Sequence, residues 1–189
     1  MNCKSKKPNM ENVWALEFNG ISKDNWHTIY EEKIKNIIDK NVAEFNFKLL
    51  HNMLPNNLYL SKWNKDITKF CNTCQEIENT KHMIYECSIA HVLWRRVSEI
   101  ININIKWKHI VIGFVEKNQS TIIYNNIISF ISYKLFKYKM KCKILKEKVT
   151  SEGLTIYLKS SLTNFFHVCK KSQTTKHNFH LLLTLAENI

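Results

Sequence analysis

The sequence predicts a mainly α-helical bundle, with at most one short strand pair, pinned at one point by a shared ion. Three observations carry this. Apolar residues recur at steps of three and four through most of the 189 residues, the period that gathers them on one helical face. Only two Pro and three Gly interrupt them. Cys71, Cys74, His82 and Cys87 place three thiols and an imidazole within one short stretch.

In chain order, residues 1–21 read as a loose leader with one apolar patch, Trp14, Leu16 and Phe18, that leans on something else. Basic residues near Met1 are followed by no apolar run, so no signal peptide is expected, and no stretch approaches a membrane span. Ser22 or Asp24 caps a first helix through Trp26, Ile29, Tyr30, Ile34, Ile37 and Ile38. Lys40 to Met53 forms a second, with Val42, Phe45, Leu49 and Met53 on one face. Pro55 stops it and seeds a short third helix, Leu58 to Trp63.

The stretch Cys71 to Cys87 follows. A Cys-x-x-Cys turn aims two sulfurs at one point, and Asn79-Thr80 can cap a short helix that carries His82, with Cys87 just beyond it. This is the pattern of a zinc knuckle. A buried thiol pair beside an ordinary His is the plain alternative, and a redox Cys-x-x-Cys would need a strand-to-helix context that Phe70 and Asn72-Thr73 do not supply. His91, one turn past Cys87, is carried away from the site by its own helix.

Ser88 is expected to cap the next helix, with Leu93, Trp94, Val97 and Ile101 inward and Arg95-Arg96 on its flank. Ile101, Ile103 and Ile105 alternate with Asn102 and Asn104, as in a short strand. Trp107 to Phe114 reads as an apolar connector and Glu116 to Ser120 as a linker. Thr121 to Val149 reads as one long helix with two apolar stripes: Ile127, Ile131, Leu135, Tyr138 and Cys142 on one side, Tyr133, Phe136, Met140 and Ile144 nearly opposite. Lys134, Lys137, Lys141 and Lys148 fill one flank, and Lys139, Lys143 and Lys146 the other. Glu152 to Val168 offers a partner helix for one stripe; the other faces the first core or a separate protein. The tail holds His177 and His180, a pair with no third ligand, and an apolar segment from Phe179 to Leu185. The expected organisation is therefore a leader (1–21), a helical metal-binding domain (22–119), a basic two-helix subdomain (120–170) and a tail (171–189).

Charge points to an anionic partner. The formal balance is +12, and residues 120–189 hold eleven Lys against three acids. Arg95, Arg96, Lys134, Lys137, Lys141 and Lys148 are the candidate phosphate contacts. Catalysis is not expected: the only aspartates, Asp24, Asp39 and Asp66, make no pair of the kind a two-metal enzyme needs. Cys3, Cys142 and Cys169 lie far from the cluster and irregularly spaced, unlike a secreted disulfide framework, which suits a reducing intracellular setting, nucleus or cytoplasm.

The run Ala43-Glu-Phe-Asn-Phe-Lys-Leu-Leu-His51-Asn-Met-Leu-Pro55, then Leu60 and Trp63, then the knuckle, then Trp94, resembles the zinc-binding region C-terminal to the reverse transcriptase of non-LTR (LINE-type) retrotransposons. The resemblance covers roughly residues 22–100. It implies that Cys71, Cys74, His82 and Cys87 hold a structural Zn²⁺, that Leu50, His51, Leu54, Pro55 and Trp63 are packing positions, and that the module helps hold RNA or target DNA beside a polymerase. Unlike retroviral knuckles, the loop from Gln75 to Lys81 has no Gly and carries Glu76 and Glu78, so it is a poor phosphate seat and reads as a staple for the fold. The expected function is a non-catalytic zinc-binding, nucleic-acid-binding module with neither membrane nor small-molecule partner. The alternative is a structural adaptor that docks on a polymerase or other protein through its second apolar stripe.

Overall fold

The computed structural model describes residues 10–37, 39–116, 118–171, 184, 185 and 187–189, and they are helical without a strand. The elements are α1 (Met10–Phe18), α2 (Lys23–Tyr30), α3 (Lys40–Leu50), α4 (Asn57–Leu60), α5 (Ser88–Ile101), α6 (Trp107–Val111), α7 (Gln119–Leu145) and α8 (Ser151–Lys171), with π-helical turns at Glu31–Lys35 and His82–Glu86. The nearest thing to a strand pair is a single antiparallel bridge, Phe70 to Ile77. Among the described residues no helix is long and apolar enough to cross a membrane.

From Met10 on, the leader is more ordered than its sequence suggests. Met10–Phe18 is helical, and Trp14 is buried, stacked on Phe18 and edge-on to Trp107, with its indole N–H donating to the Leu50 carbonyl at 2.7 Å. Leu16, grouped with it in the sequence reading, faces solvent. Ser22 caps α2 as expected: its hydroxyl accepts from the Asn25 N–H, and the Asn25 carboxamide oxygen accepts from the Ser22 N–H in return.

A π-helical turn follows α2: the Asn36 N–H reaches back five residues to the Glu31 carbonyl at 2.8 Å. Lys33, four residues after the buried Ile29 and so on the same helical face, is in the core, whereas Ile34 is only half-buried. Its ammonium donates to the Ile110 carbonyl and the Ser129 hydroxyl, each at 2.9 Å.

Ile101 to Ile105 is not a strand. Ile101 is the last residue of α5, and Asn102 closes the helix in the left-handed conformation (φ 53°). The Ile103 N–H then returns to the Ser98 carbonyl and the Ile105 N–H to the Ser98 hydroxyl. The isoleucine alternation reports a chain folding back over its own helix end. Trp107 to Val111, read as a connector, is the short helix α6. After it Gly113 takes φ 76°, and a Cβ there would come within 2.7 Å of the Asn125 side chain, which clamps the Phe114 N–H and C=O.

Helix α7 is the spine. Its 27 residues span about 40 Å, and it packs against α3, α6, α8 and both π-helical turns. The two stripes find different partners. Phe45 of α3 meets Tyr133 and Phe136, while Tyr138 meets Tyr157 of α8. One continuous apolar core thus runs through residues on both sides of position 120. The helix ends at Leu145, where Lys146 turns left-handed (φ 55°), so Lys148 lies in the loop to α8 and leaves the flank shared by Lys134, Lys137 and Lys141.

Candidate metal centre

Cys71 and Cys74 sit on a tight turn held by backbone hydrogen bonds. The Cys71 N–H donates to the Glu76 carbonyl at 2.7 Å, and the Gln75 N–H donates to the Cys71 carbonyl at 3.0 Å. Gln75 adopts φ 62°, a conformation that glycine takes at lower cost. Its left-handed turn folds the loop back so that both sulfurs face one side.

His82 and Cys87 come from the second π-helical turn. Five residues along an α-helix are rotated by about 140°, which would point the two side chains apart. The wider turn removes that offset: the Cys87 N–H bonds to the His82 carbonyl at 2.9 Å, so both ligands leave the same side. Asn79 caps the entry, its side-chain oxygen accepting from the His82 N–H at 2.7 Å. At the exit Cys87, not Ser88, stands at the cap position of α5, and it does so without a side-chain cap.

The ligand atoms of Cys71, Cys74, His82 and Cys87 all lie within 4.8 Å of one another. The Cys71 and Cys87 sulfurs are 3.9 Å apart, Cys74 and Cys87 4.0 Å, and Cys74 Sγ is 3.1 Å from His82 Nε2. A tetrahedral zinc with three sulfurs and one nitrogen requires S···S near 3.8 Å and S···N near 3.5 Å (about these values from the usual bond lengths). A disulfide is excluded at these separations, and the thiols are free. The donor set therefore fits a closed four-ligand site. His91, exposed on α5, is not part of it.

The surroundings supply charge from the flank of α7 that carries Lys139 and Lys143. Lys139 is buried; its ammonium donates to the Met83 carbonyl at 2.7 Å and lies against Cys87. The Cys87 thiol is held well below its usual range by the hydrogen bond from Cys71, with the Lys139 charge adding to it against burial. The same hydrogen bond, together with burial, pushes the Cys71 thiol up. One proton is in effect shared between two buried sulfurs, the pair that a cation would displace it from.

Glu78 is likewise inside, not on the loop surface where the sequence reading put it. Its carboxylate pairs with Lys143 and accepts from the Asn57 N–H at 3.1 Å, while Lys143 also donates to the Asn57 side chain at 3.0 Å. Glu76 alone keeps the loop's acidic face exposed. Lys139 and Lys143, one turn apart on α7, thus fix the spine to the cluster. The missed signal was their register: Lys139 falls four residues after Leu135 and three before Cys142, on the buried face of the helix.

The expected phosphate contacts are not gathered into one site. Arg95 and Arg96 are exposed on α5; Lys137 and Lys141 are exposed on α7; Lys148 is exposed in the following loop. Lys134 is half-buried, its ammonium 5.1 Å from the Phe130 ring centroid and 5.6 Å from that of Tyr133. Of the packing positions, Leu50 and Leu54 are in the core, and His51 bonds the Phe47 carbonyl at 2.8 Å and stacks on the Phe47 ring. Trp63 departs from its expected role and is 79% exposed. His177 and His180 lie outside the described residues.

Residues 9–94 match the family model described as zinc-binding in reverse transcriptase. The matched region runs to Trp94 and contains all four clustered residues, in agreement with the resemblance seen in the sequence. Neither a curated protein nor a solved structure matches the chain.

Proposed function

We propose, with the match of residues 9–94 to the reverse-transcriptase zinc-binding family as the premise, that the chain is a non-catalytic nucleic-acid-binding module of LINE type, stapled by a structural Zn²⁺ on Cys71, Cys74, His82 and Cys87. The observation that carries the metal part is the convergence of the four ligand atoms within 4.8 Å. Zinc held by four protein ligands has no open position for substrate, so its contribution is folding energy. Three thiolates leave such a centre with one net negative charge, which the Lys139 ammonium offsets from inside the fold. The thiols suit a reducing intracellular compartment, nucleus or cytoplasm.

The anionic partner is RNA or target DNA, held beside a polymerase. What supports this is the +12 balance and the way α7 presents charge: Lys134, Lys137 and Lys141 lie three and four residues apart along one flank of a rigid helix, with Arg95 and Arg96 exposed on α5. An adaptor that docks on protein through the second stripe of α7 is the weaker reading, because Tyr133 and Phe136 already pack on Phe45, which leaves Ile144 as the exposed residue of that stripe.

A salt titration of binding tests the proposal. Affinity for RNA or DNA should fall steeply between low and physiological ionic strength, and charge reversal at Lys134, Lys137 and Lys141 should weaken binding equally for unrelated sequences and flatten the salt slope. Binding that is absent, or indifferent to salt, rejects the nucleic-acid reading and leaves the metal centre untouched.

A further inference from the structure

Trp63 is the outlier among the tryptophans. Trp14, Trp26, Trp94 and Trp107 are each 7% exposed or less, whereas Trp63 is 79% exposed. Its backbone is nevertheless held: the Trp63 N–H donates to the Leu60 carbonyl at 3.0 Å, and the Lys62 N–H donates to the Tyr59 carbonyl at 3.2 Å. Tyr59, one helical turn earlier and so on the same side, is 48% exposed. Phe70 and Ile77, paired across the only β-bridge among the described residues, are exposed as well.

These side chains belong to one braced unit. The Asn57 carboxamide donates to the Phe70 carbonyl at 2.7 Å, and the Leu58 N–H donates to the Glu78 carbonyl at 3.0 Å. Glu78 in turn is paired with Lys143. The short helix α4 and the metal-binding loop therefore move together.

Cations are interleaved with the rings. Lys62, Lys65 and Lys69 are all exposed, against Asp66 between them and Glu76 at the far end of the face. The Lys69 ammonium lies 5.4 Å from the Phe70 ring centroid. Isolated apolar side chains at a surface need no explanation, but rigid aromatic faces alternating with positive charge are the two parts of a single-strand binding surface: a π-face for an unpaired base and a cation for the adjoining phosphate. A duplex hides its base faces within the stack and could use only the lysines. A protein partner would favour a contiguous apolar patch, which the lysines break up.

We propose that the outer face of residues 59–77, with Trp63 and Tyr59 as stacking surfaces and Lys62, Lys65 and Lys69 as phosphate contacts, takes single-stranded nucleic acid. This rests on the nucleic-acid reading above and deepens it by naming the strand state and a second contact region apart from the α7 lysines. The zinc staple then has a direct consequence for binding, since it pre-orders the loop that flanks the platform.

Because Trp63 is the only exposed indole, the full-length, zinc-loaded chain reports on it through its own fluorescence. The probes are a mixed-sequence single-stranded oligonucleotide, the same strand with abasic sites, and a hairpin duplex. The intact single strand should quench the solvent-exposed emission, and Trp63→Leu should abolish that quenching and weaken single-strand binding on the order of tenfold. Trp63→Phe should restore part of the affinity, and duplex affinity should not change. The abasic strand should bind the native chain about as weakly as the intact strand binds Trp63→Leu.

Salt-sensitive binding with no change in Trp63 emission and no effect of Trp63→Leu would overturn the platform while leaving the nucleic-acid reading in place. No salt-sensitive binding to any probe would sink both. A chain that self-associates, and ceases to do so as Trp63→Leu, would assign the face to a second copy and overturn the inference.

Discussion

The ammonium of Lys139 donates to the carbonyl of Met83 at 2.7 Å, so a side chain from the C-terminal part of the spine helix ends inside the π-helical turn that carries His82 and leads to Cys87. Lys139 is therefore a positioning residue for the metal centre, acting through Cys87 and the turn that holds it. Replacing it with Met keeps most of the buried length and removes the charge. Zinc affinity should fall by roughly 10- to 100-fold, the range seen when a group supporting metal ligands is lost. Lys139→Arg should recover part of it. Competition against a chelator measures the affinity, and the thiolate-to-metal charge-transfer band of a Co²⁺-substituted sample should shift in Lys139→Met. A merely structural lysine would leave that band where it was.

Cys74 is the least buried of the three cluster thiols. Cys74→Ser should bring the zinc content from one per chain to a small fraction and loosen the segment from Phe70 to Trp94, while α7 and α8 keep their helicity. Elemental analysis gives the first result and amide hydrogen exchange the second. Full zinc occupancy in Cys74→Ser would remove Cys74 from the ligand set. Chelation of the native chain should reproduce the same local loosening.

Gln75 holds a left-handed conformation at φ 62°. The left-handed region costs a residue with a Cβ about 1 kcal/mol or more, against a larger loss of chain entropy for Gly. Gln75→Gly should therefore stabilise the turn by a few tenths to about 1 kcal/mol, visible as a higher unfolding midpoint of the zinc-loaded chain. Gln75→Val, β-branched and ill-suited to the same conformation, should lower it.

Helix period, capping and ligand spacing were legible in the sequence because each depends on neighbours within a few positions. Ser22 and Asn79 cap where that reasoning places caps, and Cys71, Cys74, His82 and Cys87 come together as their spacing suggests. What it missed depends on a register that local sequence does not fix. The π-helical turn at His82–Glu86 brings His82 and Cys87 to the same side, and a lysine, Lys33, takes the buried position four residues after Ile29 while Ile34 is only half-buried. Sequence placed Lys139 and Lys143 on one flank of the long helix without partners, because their acceptors, the Met83 carbonyl and Glu78, lie more than fifty residues away. Trp63 was a packing position only by the family resemblance; in the fold its side chain is 79% exposed.

Lys33 makes the stability of the core depend on pH. Its ammonium is fully buried against two neutral acceptors, the Ile110 carbonyl and the Ser129 hydroxyl, and burial lowers its pKa from 10.5 to about 7. The unfolded chain binds the proton up to the ordinary lysine value, whereas the folded chain releases it near neutrality. Between about pH 7 and 10.5 the unfolded state thus holds more protons, so stability should rise with pH across that window, by up to about 1.4 kcal/mol per pH unit. Below pH 7 both states are protonated and the penalty is present in full. Lys33→Met should remove the rise and raise stability most at neutral pH and below, where the native chain carries the buried charge. Thermal unfolding of the two chains from pH 6 to 10, at saturating zinc to hold the knuckle constant, gives the difference directly. A parallel pair of curves would mean that the Lys33 ammonium stays charged in the core, held by Ile110 and Ser129 alone.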